Sequence, residues 1–356
     1  MCDTGESEWC EFAGALRASS GSVTAPPPRV QSSFPVPLTD THKYPYSGGA
    51  SDLSGGTRLE VPAQFSQVEP EKWLVALDID GTLLGTDGSI TPATLVGVQS
   101  LDRAGAHVVI ATGRSIPAVA GVLEILQLRR GYVVCSNGAV TIEVRGGQAG
   151  RSNGGRSLGE GDATGGRSKL TYRVVRARIF APAQIIRRLV QAVPGALLGV
   201  EVVGQGFRVS APFPPGELIG LQDVVGLEAL GSEPVTRVIL RTPEFSAQQL
   251  RDLVSQVDFA GLQWDIGWNA WLDVTSADSG KGAALADIAR SLGVARDLTV
   301  AVGDGQNDLS MIEWAGWGLA MANARPEVQG QADAILPSAA QSGVGVLVNA
   351  LLSGAK

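Results

Sequence analysis

The chain has 356 residues, 44% of them hydrophobic, with 28 Lys+Arg against 35 Asp+Glu for a formal charge of −7. That length allows about two domains of roughly 100–200 residues each, and the apolar content supports a sizeable core, so wholesale disorder is excluded. The acidic balance argues against a nucleic-acid partner, which needs a basic face.

No run of about 18 apolar residues marks a membrane span, so no membrane partner is expected. The N-terminus shows neither a basic segment nor an apolar one of the secretory kind. The three cysteines (Cys2, Cys10, Cys135) and two histidines (His42, His107) have no metal-ligand spacing. A disulfide scaffold and a zinc site are therefore not expected, and a reducing, cytoplasmic setting is.

Residues 1–70 hold 8 of the 19 prolines and no apolar period. This composition predicts a disordered Pro/Ser/Gly-rich extension. Patterning starts at Trp73. Trp73–Leu77 is a continuous apolar run, as in a strand buried on both faces. Thr91–Ala104 reads as a helix with Pro92 at its first position, His107–Ala111 as a strand, Ile116–Leu128 as a helix and Tyr132–Cys135 as a strand. This alternation predicts a doubly wound, mostly parallel Rossmann-like α/β sheet.

Residues 146–168 contain nine glycines in 23 positions, the composition of a flexible insertion. From about 142 to 265, strand-like and helix-like runs mix as in a separate α+β module. The α/β pattern is expected to resume with Trp271–Val274, a helix over Gly282–Leu292, the strand Leu298–Val302, two short strands and a terminal helix from Gly343. The expected organisation is thus a core of 71–141 and 266–356, interrupted by an inserted α+β cap at 142–265.

Four polar clusters end predicted strands or start helices, and ligands of open α/β sheets bind at the strands' carboxyl ends. Asp78-Ile79-Asp80-Gly81-Thr82 puts two carboxylates on one side of an extended segment, which suits a nucleophile beside a general acid and equally an ordinary turn. Thr112-Gly113-Arg114-Ser115 offers a hydroxyl, backbone N–H groups and a guanidinium to an anion, or a plain helix cap. Lys281, one of only five lysines, sits between glycines at a helix start; it either neutralises a phosphate and carboxylates or is a solvated terminal lysine. Asp304 and Asp308, in Gly303-Asp304-Gly305-Gln306-Asn307-Asp308, are oxygen ligands suited to Mg²⁺ or capping residues of a turn.

Taken in order, these clusters resemble the four motifs of the haloacid dehalogenase-like hydrolase superfamily over about residues 72–352. Ser136-Asn137-Gly138-Ala139 is similar to the signature of its Cof-like, type IIB branch, which carries an α+β cap between the second and third motifs. The resemblance implies a Mg²⁺-dependent phosphatase acting on a small phosphorylated metabolite, a sugar phosphate foremost, through an aspartyl-phosphate. It implies that Asp78 is the nucleophile, Asp80 the general acid and base, and Thr112 and Lys281 the groups that bind the phosphoryl oxygens. It implies further that Asp78, Asp80 (through its carbonyl), Asp304 and Asp308 make the metal site. By the same resemblance, Gly81, Gly113, Arg114, Asn137 and Asn307 are expected to line the phosphate and substrate side. Within the superfamily a phosphomutase or a dedicated sucrose- or mannosyl-phosphate phosphatase is the alternative. A nucleotide-binding module would need a Gly-x-Gly-x-x-Gly turn where Asp78-Ile79-Asp80-Gly81 stands. Arg208 and Trp264 are candidate cap residues for substrate contact, with nothing in their spacing to decide it.

Overall fold

The computed structural model describes residues 59–128, 130–146, 156–157, 170–267 and 269–354. The first half of the core supplies β1 (Leu74–Leu77), β2 (His107–Ala111), β3 (Arg130–Cys135), β4 (Val140–Gly146), the two-residue β5 (Arg156–Ser157) and β6 (Leu170–Ala177). The cap supplies β7 (Leu197–Val202), β8 (Gly206–Val209), β9 (Leu221–Val224), β10 (Arg237–Arg241), β11 (Gln263–Ile266) and β12 (Trp271–Thr275). The chain then returns to the core for β13 (Thr299–Gly303), β14 (Trp317–Met321) and β15 (Ala334–Leu336).

The core sheet runs β15-β14-β13-β1-β2-β3-β4-β6-β5. Its six strands from β15 to β3 are parallel, and β4, β6 and β5 extend it antiparallel. Alternate residues serve opposite faces. Val75, Leu77, Val108 and Ile110 pack on one side, Leu74, Ala76, Val109 and Ala111 on the other, which is why these strands read as unbroken apolar runs. Pro92–Arg103 is capped by Thr91, whose hydroxyl accepts from the Thr94 N–H, and Ile116–Leu126 likewise carries a proline in its first turn. From β1 the chain winds outward through β2 and β3, then returns to lay β13, β14 and β15 on the other side of β1. The β1/β13 border is therefore the switch point, where the diverging connections leave a crevice at the strands' carboxyl ends.

The cap sheet runs β11-β12-β10-β7-β8-β9. Helices Ala183–Ala192 and Ala247–Val254 contribute Ile185, Leu189, Leu250 and Val254 to the apolar layer beneath it.

The fold class agrees with the sequence reading, and three boundaries shift. β4 and β6, expected in the cap from residue 142, pair with β3 and with each other in the core sheet. Trp271–Val274, expected to restart the core, lies in the cap, antiparallel to β10 and β11. The extension expected over 1–70 ends earlier, because Phe65 is 1% exposed and packs edge-on against Trp73, 5.7 Å between ring centroids, and against Trp317. One aromatic in a proline-rich stretch gives no period to read, yet it fills the bottom of the core. Residues 1–58 lie outside the described residues, as does the expected glycine-rich insertion at 146–168 apart from Gly146, Arg156 and Ser157. Among the described residues no helix is long and apolar enough to cross a membrane, and Cys135 is a buried free thiol.

Candidate active site

Asp78 leaves β1 at the switch point, its N–H donating to the Val302 carbonyl of the neighbouring β13 at 3.0 Å. Gly81 then turns the chain with φ +86°, and a Cβ there would lie 2.2 Å from Asp304 Oδ2, so only glycine lets the two loops meet. Lys281 enters from the helix Lys281–Leu292 with no exposed surface. Gly282 lets this helix press on the backbone of Ser310, where a Cβ would sit 2.0 Å from the carbonyl oxygen. That close approach carries the Lys281 ammonium between two carboxylates: Nζ donates to Asp78 Oδ1 at 2.6 Å and to Asp308 Oδ1 at 2.5 Å.

Asp304 completes the cluster. Asp78, Asp304 and Asp308 each offer an oxygen, and the three lie within 4.8 Å of one another. Burial, then the Asp308 charge, raises the Asp78 carboxyl above its ordinary range, with Lys281 opposing. The same two causes push Asp304 up to about 6. Burial works against the Lys281 ammonium, but Asp308 and Asp78 outweigh it, so Lys281 stays charged. Three carboxylates around one ammonium leave an excess of negative charge in a largely buried site, which either protons or a further cation would offset. Carboxylate oxygens are the donors Mg²⁺ prefers, so the residues present fit the expected metal.

The carboxylates differ in what else they hold. Asp308 gives Oδ1 to Lys281 and accepts at Oδ2 from the N–H groups of Asp304 and Gly305, at 3.0 and 2.8 Å. It therefore shapes the loop and fixes the ammonium, and Asp78 and Asp304 are the carboxylates better placed as direct ligands. Asp304 accepts from Thr82 Oγ1 at 3.4 Å and from Asn323 Nδ2 at 3.2 Å. Asn323 also donates to the Gly81 carbonyl at 2.9 Å, tying the first and fourth motif loops together. The sequence reading missed Asn323. Its only signal was a polar residue at the carboxyl end of β14.

Thr112 is buried, and its Oγ1 accepts from the Arg114 N–H at 3.1 Å. Arg114, expected on the substrate, forms a bidentate pair with Asp80 here: Nη2 to Oδ1 at 2.5 Å and Nε to Oδ2 at 2.9 Å. Opposite charges at the ends of neighbouring strands find each other. Asp80 thus stands apart from the buried triad, with its side chain 61% exposed. Asn137 and Asn307 bond to each other, Nδ2 of Asn307 donating to Oδ1 of Asn137 at 2.9 Å, and Gly113 lies against the Asn137 amide.

The cap sits on these loops through a buried polar seam that the sequence reading also missed. Ser136 Oγ meets both Glu201 oxygens, at 2.9 and 2.7 Å. Arg237 pairs with Glu201 at 3.3 Å and with Asp273 at 3.3 Å, and its Nη1 donates to the Gly113 carbonyl at 2.8 Å. Glu201 and Arg237 are cap residues, whereas Ser136 and Gly113 flank Asn137 and Thr112. By contrast, Arg208 pairs with Glu233 and Trp264 stacks on Phe259, both inside the cap. Arg237→Met should destabilise the protein by about 3–5 kcal/mol in urea unfolding, because Glu201 is left charged and buried. Arg237→Met with Glu201→Gln should recover most of that loss. Equal stability of the single variant and the parent would show that the seam carries no load.

Comparison with known proteins agrees with this geometry. A family model described as haloacid dehalogenase-like hydrolase matches residues 75–152 and 227–347. The chain is 27% identical over 315 residues to phosphatase YwpJ of Bacillus subtilis, covering 78% of this chain and 99% of that one. It is 28% identical over 262 residues to a phosphoglycolate phosphatase of Natronomonas pharaonis, covering 73% and 89%. Among solved structures, a haloacid dehalogenase subclass IIB sugar phosphatase superposes with a TM-score of 0.59 at 18% identity, covering 78% and 98%. The chain belongs to the haloacid dehalogenase-like hydrolases, in their Cof-like branch, and is an enzyme of the phosphatase class.

Proposed function

We propose that the protein is a Mg²⁺-dependent phosphatase that hydrolyses a small phosphomonoester, a sugar phosphate foremost, through a phosphoryl group carried on Asp78. The observation that carries this reading is the buried Lys281 ammonium held between Asp78 and Asp308, with Asp304 beside them.

Lys281 occupies Asp78 Oδ1, so Oδ2 is the oxygen that attacks phosphorus. The new Oδ2–P bond forms as the bond from phosphorus to the leaving oxygen breaks, and Asp80 gives that oxygen its proton. Water then attacks phosphorus, Asp80 takes the water's proton, and inorganic phosphate departs from a restored Asp78. Arg114 keeps Asp80 at the mouth of the site until substrate enters. Transfer of Arg114 onto the substrate frees the Asp80 carboxyl to reach the leaving group. Thr112 Oγ1 already accepts from Arg114, which leaves its proton for a phosphoryl oxygen. Lys281 supplies fixed positive charge where negative charge accumulates. Mg²⁺, held by Asp78, Asp304 and the Asp80 carbonyl, would neutralise the phosphoryl oxygens and the excess carboxylate charge.

Phosphate release from p-nitrophenyl phosphate and a hexose-phosphate panel tests the reading. Turnover is expected with Mg²⁺ and is expected to vanish with EDTA; equal rates in both would overturn it. A pH series adds a second check through Asp304. Its folded carboxyl binds a proton more tightly than the unfolded one, so the metal-free protein gains stability as pH falls through about 6. The same proton competes with the metal. Added Mg²⁺ should therefore raise Tm above pH 6, with the increment shrinking below it.

A further inference from the structure

Cap and core leave a cleft of about 430 Å³ between the helix Ala247–Val254 and the loops that follow β13 and β14. Gln248 and Arg251 line it from the cap, and Gln306, Arg325 and Glu327 from the core. Gln306 is two residues from both Asp304 and Asp308, and Arg325 is two residues beyond Asn323, whose amide holds Asp304. Two residues span no more than about 7 Å, so the loops that line the cleft are the loops that carry Asp304, Asp308 and Asn323.

Most cap arginines near carboxylates are committed. Arg188, Arg208, Arg237 and Arg241 each form an ion pair. Among the described residues, Arg251 and Arg325 form none, although both line a cleft that contains Glu327. Asp265 feels the charge of Arg251 without pairing with it. Two guanidiniums from opposite banks thus line a space with one carboxylate, the reverse of the charge balance in the Asp78, Asp304 and Asp308 cluster. A fork of N–H donors on each side matches carboxylate or phosphate oxygens.

We propose that this cleft binds a second anionic group on the substrate, remote from the phosphoryl group being cleaved, with Arg251 of the cap and Arg325 of the core gripping it from either side. The inference rests on the phosphatase reading and narrows it: the substrate is a phosphomonoester whose far end is a carboxylate or another phosphate. Because the grip spans both domains, such a substrate also draws the cap onto the core.

Matched substrates test this with the full chain and Mg²⁺. 6-Phosphogluconate and sorbitol 6-phosphate differ only in a carboxylate against a hydroxymethyl group, and fructose 1,6-bisphosphate and fructose 6-phosphate differ in the second phosphate. The ratio of kcat/KM within each pair is the readout. At least one pair should favour the acidic member by about tenfold or more, carried by KM, and which pair does so separates carboxylate from phosphate. In Arg251→Ala/Arg325→Ala that ratio should fall to about one, Arg325→Lys alone should keep part of it, and Glu327→Gln should raise it. A ratio near one in the parent for both pairs, or one unchanged in the double variant, would overturn the proposal while leaving the phosphatase reading standing. No turnover of any of these substrates or of p-nitrophenyl phosphate would overturn the phosphatase reading itself.

Discussion

Asp78→Asn is expected to lower phosphate release by at least about 10⁴-fold while the chain still folds. The substitution keeps the volume and the contact with Lys281, since an amide oxygen still accepts from the ammonium. It removes the anionic oxygen that attacks phosphorus. It also takes one negative charge out of a cluster in which burial and Asp308 already disfavour that charge, so thermal stability should hold or rise. A loss of rate with unchanged or higher Tm is therefore the combined signature. Turnover near the parent's rate would mean that Asp78 is not the nucleophile and that water attacks the ester directly.

Lys281→Met is expected to lose both activity and stability. The methionine fills the space, but Asp78 and Asp308 then face each other without the ammonium that now lies 2.6 and 2.5 Å away. Leaving buried carboxylates without their partner costs about 3–5 kcal/mol, to be read from urea unfolding in EDTA. Adding Asp308→Asn should restore much of that stability, because one of the opposed charges is gone. Activity should not return, since the phosphoryl oxygens still lack the fixed positive charge. Recovery of turnover in the double variant would show that Lys281 only offsets Asp308 and has no part in the chemistry.

The candidate site was legible wherever its residues are local in the chain. Asp78 and Asp80 stand two apart at the end of an unmistakable buried strand, and Asp304 and Asp308 stand four apart in a glycine-rich turn. Spacing of that kind declares which groups share a loop. It says nothing about pairs formed across the fold. Lys281 is 203 positions from Asp78, and Asn307 is 170 from Asn137; only the family resemblance linked such loops beforehand. The same blindness explains Arg114. Its place beside an anion was readable, but the anion it meets in this structure is Asp80. Asn323, Glu201 and Arg237 went unnoticed because a single polar residue at a strand end or within an apolar strand looks the same whether it faces solvent, a partner domain or a catalytic loop.

The composition and apolar periodicity of this chain, taken alone, determined the parallel strands of the doubly wound core and the helices that alternate with them, because burial on one or two faces imprints period and run length on the residues themselves. They also determined that carboxylates, a hydroxyl and a lysine stand beside these elements. Tertiary structure decided which sheet each strand joins. Trp271–Thr275 alternates, with Leu272 and Val274 turned to the cap interior, a pattern that marks one covered face without naming the sheet that covers it. It also decided that Phe65 closes the core, that Glu201 and Arg237 seat the cap on the loops of Ser136 and Gly113, and that Arg251 and Arg325 face one cleft. Those outcomes depend on which surfaces meet, and a hydrophobic pattern records that a residue is buried, not what buries it.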